Sequence, residues 1–267
     1  MKNKYKILVT NDDGYEAKGL LCLVEALKEL DDVEVTVVAP ASEKSACGHS
    51  LTIIRPLRFV GVEDNFFKLD DGTPSDCIYL ALSTMFVDVK PDLLISGINR
   101  GSNMGEDITY SGTAAGAMEG VLHNIPSIAI SQVMDFTNPQ GDFTLAQKTI
   151  KKLVLKIKEG TFPLPEREFL NVNIPPNIDL KDPKIFITYA GYRLYANDSH
   201  LHRNPRGEEY YWLGTHPLNF SARKGREGIS DYEAITSGNI SITPIKLDMS
   251  AYKSMKKLKT WIEENEI

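Results

Sequence analysis

Two adjacent aspartates carry the first chemistry in this sequence. Asp12 and Asp13 follow the short apolar run Ile7-Leu8-Val9 and stand in the turn Asn11-Asp12-Asp13-Gly14. Neighbouring side chains of a strand point to opposite faces, whereas a turn lets two carboxylates converge. Carboxylates that close repel each other, and a hard cation such as Mg²⁺ or Mn²⁺ relieves the repulsion while taking oxygen ligands. The plainer alternative is a solvated turn with an Asx hydrogen bond and Gly14 at positive φ. The tetrapeptide alone leaves both readings open.

Two further polar loops add to it. Pro40 to Ser50 holds Ser42, Ser45, His49 and Ser50, which in isolation read as polar surface. The segment from Ser96 to Asp107 has glycines at 97, 101 and 105 with Asn99 and Asn103 between them. Glycine lets backbone approach a ligand closely, and the amides offer neutral donors and acceptors. Ser111-Gly112-Thr113 then opens a helix. Backbone N–H groups, two hydroxyls and the positive helix end together suit a phosphate, the alternative being a structural turn with a Ser or Thr cap. There is no GxxxxGK[ST], and the first strand-to-helix turn is Asn-Asp-Asp-Gly, not GxGxxG, so neither an ATPase loop nor a dinucleotide fingerprint is present.

The elements that must position these loops are legible from periodicity. Lys6 to Thr10 reads as a buried strand, Leu20 to Leu30 as a helix with Leu20, Leu23, Val24, Leu27 and Leu30 on one face, and Val33 to Ala39 as a second strand stopped by Pro40. That is a βαβ unit of a parallel sheet. Leu51 to Val62 and Phe66 to Leu69 are β-rich and suggest an excursion from the main sheet. A helix over 74–86, a strand over 92–96, a helix over 111–123, a strand over 127–131 and a helix over 143–158 continue the alternation. Strands follow over 169–172 and 185–189. Residues 191–228 are polar, aromatic and irregular, before a strand over 240–245 and a helix over 250–265. The expected fold class is α/β: a doubly wound, mostly parallel sheet over residues 1–190, then a C-terminal β-hairpin and helix extension over 191–267. All three loops fall at carboxyl ends of strands, where such sheets bind ligands.

Composition narrows the function. The chain has 267 residues, 42% hydrophobic and 25% charged, with a formal net charge of −6. That is ordinary globular composition, and it argues against a basic groove for polymeric nucleic acid. No stretch approaches the roughly 20 apolar residues of a membrane span. Cys22, Cys47 and Cys77 form no CxxC pair, so neither a disulfide framework nor a cysteine zinc site is indicated. A cytoplasmic location is expected.

The chain resembles the stationary-phase survival protein SurE family, the metal-dependent 5′/3′-nucleotidases. The resemblance rests on Ile7 through Gly14; on Val38-Ala39-Pro40 with Lys44-Ser45 and Ser50-Leu51-Thr52; and on Gly72-Thr73-Pro74-Ser75-Asp76-Cys77. It rests also on Pro91 through Gly101, on Tyr110-Ser111-Gly112-Thr113 through Glu119-Gly120, and on Ser241-Ile242-Thr243-Pro244. It implies a Rossmann-like core and one divalent ion per subunit, Mg²⁺ or Mn²⁺, held by Asp12, Asp13, Ser45 and Asn99. It places phosphate contacts at Asn103 and at Ser111, Gly112 and Thr113, with Asn99 adjoining. It implies that the extension engages neighbouring subunits in a homodimer or homotetramer. The family has glycine directly after the loop serine, where this chain has Ala46. The expected function is hydrolysis of nucleoside monophosphates, with Asp12 and Asp13 as catalytic residues. A broader acid phosphatase or exopolyphosphatase and a non-catalytic nucleotide-binding module are the alternatives.

Overall fold

A computed structural model describes residues 4–135, 138, 141–176, 183–195, 199–213, 217–221, 225 and 227–265. The chain opens as expected: β1 (Tyr5–Thr10), α1 (Lys18–Lys28) and β2 (Val33–Pro40). An antiparallel hairpin follows, β3 (Arg58–Glu63) and β4 (Phe66–Asp70), then α2 (Pro74–Thr84) and β5 (Leu93–Arg100). Next come α3 (Gly112–Leu122), β6 (Ser127–Gln132), α4 (Thr144–Glu159) and β7 (Glu168–Ile174).

These strands build one sheet with the order β3-β4-β2-β1-β5-β6-β7, continued by two later strands. From β4 to β7 all pairings are parallel. The first crossover carries the chain from β1 to β2 on one side, and β5 then takes the other side of β1. The carboxyl end of β1 is therefore the switch point of the sheet, where a crevice opens between diverging connections. Asp12 and Asp13 stand just past that end.

Alternation along the strands sorts the core into two faces. Ile7, Val9 and Ile95 pack with Leu20, Leu23 and Leu27 of α1 and with Ile150 and Val154 of α4. Leu8 and Val38 face the other way, against Ile78 and Ala81 of α2. Phe169 of β7 is fully buried beneath Ala117, Met118 and Val121 of α3.

The β-rich stretch after residue 50 departs from expectation. Leu51, Ile53 and Ile54 are exposed and outside any strand, and the hairpin that follows is not a separate excursion but an edge of the main sheet. Residues before Arg58 are drawn off by Asp76, whose carboxylate takes both the N–H and the hydroxyl of Thr52 while completing the capping box of Thr73 at the start of α2.

Beyond residue 190 the chain divides. β8 (Ile185–Ile187) lies at the sheet's far edge, and β13 (Ile240–Lys246) enters between it and β7, antiparallel to β7. Between these come β9 (Tyr192–Tyr195) paired with β12 (Pro217–Ser221), the hairpin β10 (Ser199–Arg203) with β11 (Glu209–Leu213), and α5 (Asp231–Thr236). The last element is α6 (Tyr252–Glu264), none of whose residues is buried. Tyr252, Met255, Leu258 and Ile262 form an exposed apolar stripe along it.

Replacing Phe169 with Ala removes the largest buried side chain beneath α3 and leaves a cavity. Urea unfolding of Phe169→Ala is expected to show a loss of about 3–5 kcal/mol; a loss under ~1 kcal/mol would mean that α3 is held in some other way.

Candidate active site

β1 delivers Asn11, Asp12 and Asp13 to the switch point. Asn11 makes the Asx bond of the turn, its Nδ2 donating to the Gly14 carbonyl at 2.8 Å, and Gly14 sits at φ +100°. The turn is thus held by Asn11, and both aspartates are released for other work.

Asp12 is only 4% exposed. Thr113 Oγ1 donates to its Oδ1 at 2.5 Å, and the backbone N–H groups of Gly112 and Thr113 also donate to the carboxylate. The charge therefore rests against the positive end of α3. This contact requires glycine at 112, because a Cβ there would lie 2.7 Å from Asp12 Cβ and 2.8 Å from Oδ2. Burial raises the Asp12 pKa above the usual carboxylate range, although the three donors pull the other way.

Asp13 takes the backbone N–H of Arg100 on Oδ2 at 3.0 Å. Its pKa is pushed up to about 6, by burial first, with the charges of Asp12 and Glu43 adding to the rise against the pull of the Arg100 N–H and guanidinium. Two carboxylates side by side, both disfavoured as anions, make a position that a cation stabilises.

The loop after β2 brings Ser45 to the same place. Its backbone is tied at both ends, Lys44 N–H to the Asp12 carbonyl at 2.7 Å and Gly48 N–H to the Tyr110 carbonyl at 2.9 Å. Ser45 Oγ donates to Glu43 Oε1 at 2.8 Å. Ala46 adopts φ +57°, a left-handed conformation that glycine takes without cost, so the loop keeps this turn even with a Cβ present. Asn99 stands next to last in β5, and its Nδ2 donates to the Gly101 carbonyl at 2.9 Å, which leaves the amide oxygen as the atom that could accept a cation. A cleft of about 470 Å³ opens here, lined by Asp13, Glu43, Ser45, Lys18, Arg100 and Met134 among others.

The donor set fits a hard divalent ion. Two carboxylates, a hydroxyl and an amide oxygen suit Mg²⁺ or Mn²⁺ completed by water. Among the described residues no three His, Cys, Asp or Glu side chains gather around a metal-sized space.

The residues expected at the phosphate also hold the site together. At the start of α3, Ser111 Oγ caps the helix by accepting the Ala114 N–H at 2.9 Å, and the Gly112 and Thr113 N–H groups donate to Asp12. Asn103 is fixed by its neighbours. It is 7% exposed, its Nδ2 donates to Ser131 Oγ at 2.8 Å, its N–H to Asn173 Oδ1 at 2.9 Å, and its carbonyl accepts from Asn171 and Asn173. It straps the glycine-rich loop to β6 and β7.

Several residues of the site carry no strong sequence signal. Glu43, Lys18 and Arg100 line the cleft; Glu43 and Arg100 lay inside singled-out loops without being picked as site residues, and Lys18 lay outside them. Asp231 reaches from the start of α5 to accept the N–H groups of Gly105 at 2.7 Å and Gly191 at 2.9 Å, joining the loop to the later chain. His49, a lone loop imidazole in the sequence, pairs with the buried Glu119 of α3 at 2.8 Å, whose other oxygen meets His123 at 3.1 Å. His49 is thereby a strut of the Ser45 loop.

Comparison with known proteins bears on the same residues. The profile of the family described as Survival protein SurE matches residues 7–197. A protein of Sulfurimonas denitrificans named 5′-nucleotidase SurE is 81% identical over 263 residues, 97% of this chain and all of that protein. One of the same name from Nitratiruptor is 55% identical, covering 96% of this chain and 99% of its own. The crystal structure of the Sure protein from Aquifex aeolicus superposes with a TM-score of 0.78 at 40% identity, covering 96% of this chain and 99% of that one.

The raised pKa of Asp13 has a stability consequence with a definite sign. The folded value of about 6 lies above the ordinary 3.8, so the folded state holds the extra proton between them. Chelated protein therefore loses stability as pH rises from about 4 to about 6, and the deficit persists at neutral pH. Asp13→Asn abolishes it. Thermal melts in EDTA are expected to show the variant more stable by roughly 1–2 kcal/mol at neutral pH and equal to wild type near pH 4; a variant less stable at neutral pH would show that the ionised carboxylate is not destabilising.

Proposed function

This chain belongs to the survival protein SurE family, and from that premise we propose that it is a 5′-nucleotidase that uses one divalent ion, Mg²⁺ or Mn²⁺, held by Asp12, Asp13, Ser45 and Asn99. The observation that supports the metal site is the meeting of buried Asp12 and half-buried Asp13, mutually repelling carboxylates, with the Ser45 hydroxyl at the switch point of the sheet.

When bound, the ion supplies Lewis acidity to the phosphoryl oxygen and to water. The protein supplies position. Asp12 is fixed against α3 by Thr113 and two backbone N–H groups, so its carboxylate does not reorganise during reaction. Ser111, Gly112 and Thr113 at the positive end of α3, together with Asn103 and Asn99, are the proposed contacts to the substrate phosphate, and Asn103 also fixes the glycine-rich loop that follows β5. Asp13 lines the open cleft and is the aspartate proposed to receive the proton of an attacking water. In-line attack by the water oxygen forms the new P–O bond as the ester P–O bond breaks, the leaving alkoxide takes up a proton from solvent or from Asp13, and nucleoside and phosphate are released.

The rest of the reading follows from the surface. The substrate is a small phosphomonoester, with attack at 5′ and 3′ positions. The parts of 191–267 that lie outside the main sheet expose Tyr211, Trp212 and Leu213 on β11 and Trp261 on α6. Such side chains suit contacts between subunits of a homodimer or homotetramer. No helix among the described residues is long and apolar enough to cross a membrane, and the cytoplasm is the proposed location.

The test is hydrolysis of nucleoside 5′- and 3′-monophosphates and of p-nitrophenyl phosphate, before and after chelation and with Mn²⁺ or Mg²⁺ restored. Activity is expected to vanish with EDTA and return with either metal. Asp13→Asn is expected to lower kcat by on the order of 10³-fold. Turnover that survives thorough chelation contradicts the proposal, and rapid hydrolysis of polyphosphate with none of nucleotides would favour the broader phosphatase reading.

A further inference from the structure

Resting on the nucleotidase reading, we propose that Asp231 is a positioning residue for the reaction: from outside the cleft it clamps the loop that carries Asn103, and so sets where that amide meets the substrate phosphate. The loop after β5 runs from Gly101 to Ser111 and has proposed phosphate contacts near both ends, Asn103 at one and Ser111 to Thr113 at the other. Between them it is gripped by the later chain. Asp231 Oδ2 accepts the Gly105 N–H at 2.7 Å. The Tyr232 hydroxyl donates to the Met104 carbonyl at 3.1 Å. The Arg193 N–H donates to Glu106 Oε2 at 3.0 Å, and the Arg193 guanidinium pairs with Asp107. Every residue from Met104 to Asp107 is thus tied to β9 or to the start of α5.

Two features make Asp231 the centre of this grip. The first is its burial. Its carboxylate is withdrawn from solvent, and the second oxygen, Oδ1, accepts the N–H groups of Gly191 at 2.9 Å and Tyr232 at 3.0 Å. One side chain therefore fixes the loop, the chain just before β9 and its own helix start. A buried carboxylate with three N–H donors holds its place, because any departure leaves charge without partners. The second feature is closeness. Gly105 lies at φ +56°, and a Cβ there would stand 2.8 Å from the Gly191 carbonyl oxygen and 2.8 Å from a Tyr232 ring carbon. The loop backbone thus meets the later chain directly. The platform behind it is braced as well: Ser230 and Glu233 form a capping box at the start of α5, and Phe220 of β12 stacks on Tyr232 with ring centroids 5.0 Å apart. Asn103 is held from two directions, by Ser131 and Asn173 on one side and by α5 through Met104 and Gly105 on the other. A phosphate contact is sensitive to such placement, since a shift of about 1 Å in a positioned group costs on the order of 100-fold.

Asp231→Asn and Tyr232→Phe test this in the full-length, metal-loaded protein, well below the melting temperature of each. The asparagine keeps one acceptor oxygen but presents an NH₂ group where the other accepted an N–H, so part of the clamp is lost without a change of size. The phenylalanine removes a single hydroxyl, keeps the ring stack, and serves alone if Asp231→Asn does not fold. For Asp231→Asn, binding of inorganic phosphate, measured by calorimetry, is expected to weaken roughly tenfold, and kcat/KM for AMP to fall by at least as much. Tyr232→Phe is expected to show the same pattern at about threefold. Mn²⁺ affinity without phosphate is expected to stay within about twofold of wild type, because Asp12, Asp13 and Ser45 lie on other segments. In an Asn103→Ala background, Asp231→Asn is expected to weaken phosphate binding by less than about twofold further, since the contact it positions is already gone. Unchanged phosphate binding in whichever of the two variants fold would overturn the proposal. So would an additive loss in the double variant, or an equal loss of Mn²⁺ affinity, either of which would make Asp231 a general support of the fold. Wild-type protein that binds phosphate but hydrolyses no nucleotide would defeat the nucleotidase reading, and the binding measurements would still decide the clamp.

Discussion

Asp12 brings a carboxylate out of water at the one point of the sheet where neighbouring connections diverge, and much of the local structure exists to make that tolerable. Thr113 and the first amides of α3 supply neutral donors, Gly112 supplies the room, and the Lys44 N–H ties the adjoining loop to the Asp12 carbonyl. Donors and the helix end reduce the desolvation penalty without cancelling it, since Asp12 remains harder to ionise than an ordinary aspartate. Asp13 alongside increases the strain electrostatically. An arrangement so short of positive charge is stabilised by whatever cation enters, which is how a protein of net charge −6 can handle an anionic substrate.

The topology makes this arrangement inexpensive. β1 lies between β2 and β5, so the loops after all three strands meet without any long excursion. The loop after β2 carries Ser45 and is fastened to Asp12 and to Tyr110. The end of β5 carries Asn99 and Arg100 and is fastened to Asp13, and the loop after it is fastened to Gln132 and, through Asn103, to β6 and β7. Rigidity is therefore distributed among backbone N–H groups and a buried cluster of asparagines. Later chain segments add to it: Asp231 holds Gly105, and the antiparallel β13 completes the sheet beside β7.

Much of this was legible before any coordinates. The period of Leu20, Leu23, Val24 and Leu27 marked α1, the apolar runs marked β1, β2 and β5, and the polar segments singled out do fall at the carboxyl ends of those three strands. Other parts were not, for physical reasons. Periodicity shows which face a residue takes but not what lies opposite, so the contact of Ser111-Gly112-Thr113 with Asp12, about a hundred residues away, was not visible. The ties of Asn103 to Asn171 and Asn173 were hidden for the same reason. Leu51 to Leu57 had strand composition, yet the reach of Asp76 to Thr52 claimed the backbone there. Arg100 and Glu43 stood out only once the cleft between their loops had a shape. The left-handed Ala46, by contrast, joins the two levels: the departure from glycine visible in the sequence falls at a backbone angle that glycine favours.

The central claim is that Asp12 and Asp13 together form a divalent-cation site in the absence of substrate. Equilibrium titration with Mn²⁺ at neutral pH, followed by electron paramagnetic resonance and calorimetry, tests it most directly. The account predicts one Mn²⁺ per chain, with protons released on binding because Asp13 is partly protonated beforehand, and affinity lowered by on the order of 100-fold or more in Asp12→Asn and in Asp13→Asn. Equal Mn²⁺ affinity in wild type and both variants would contradict it.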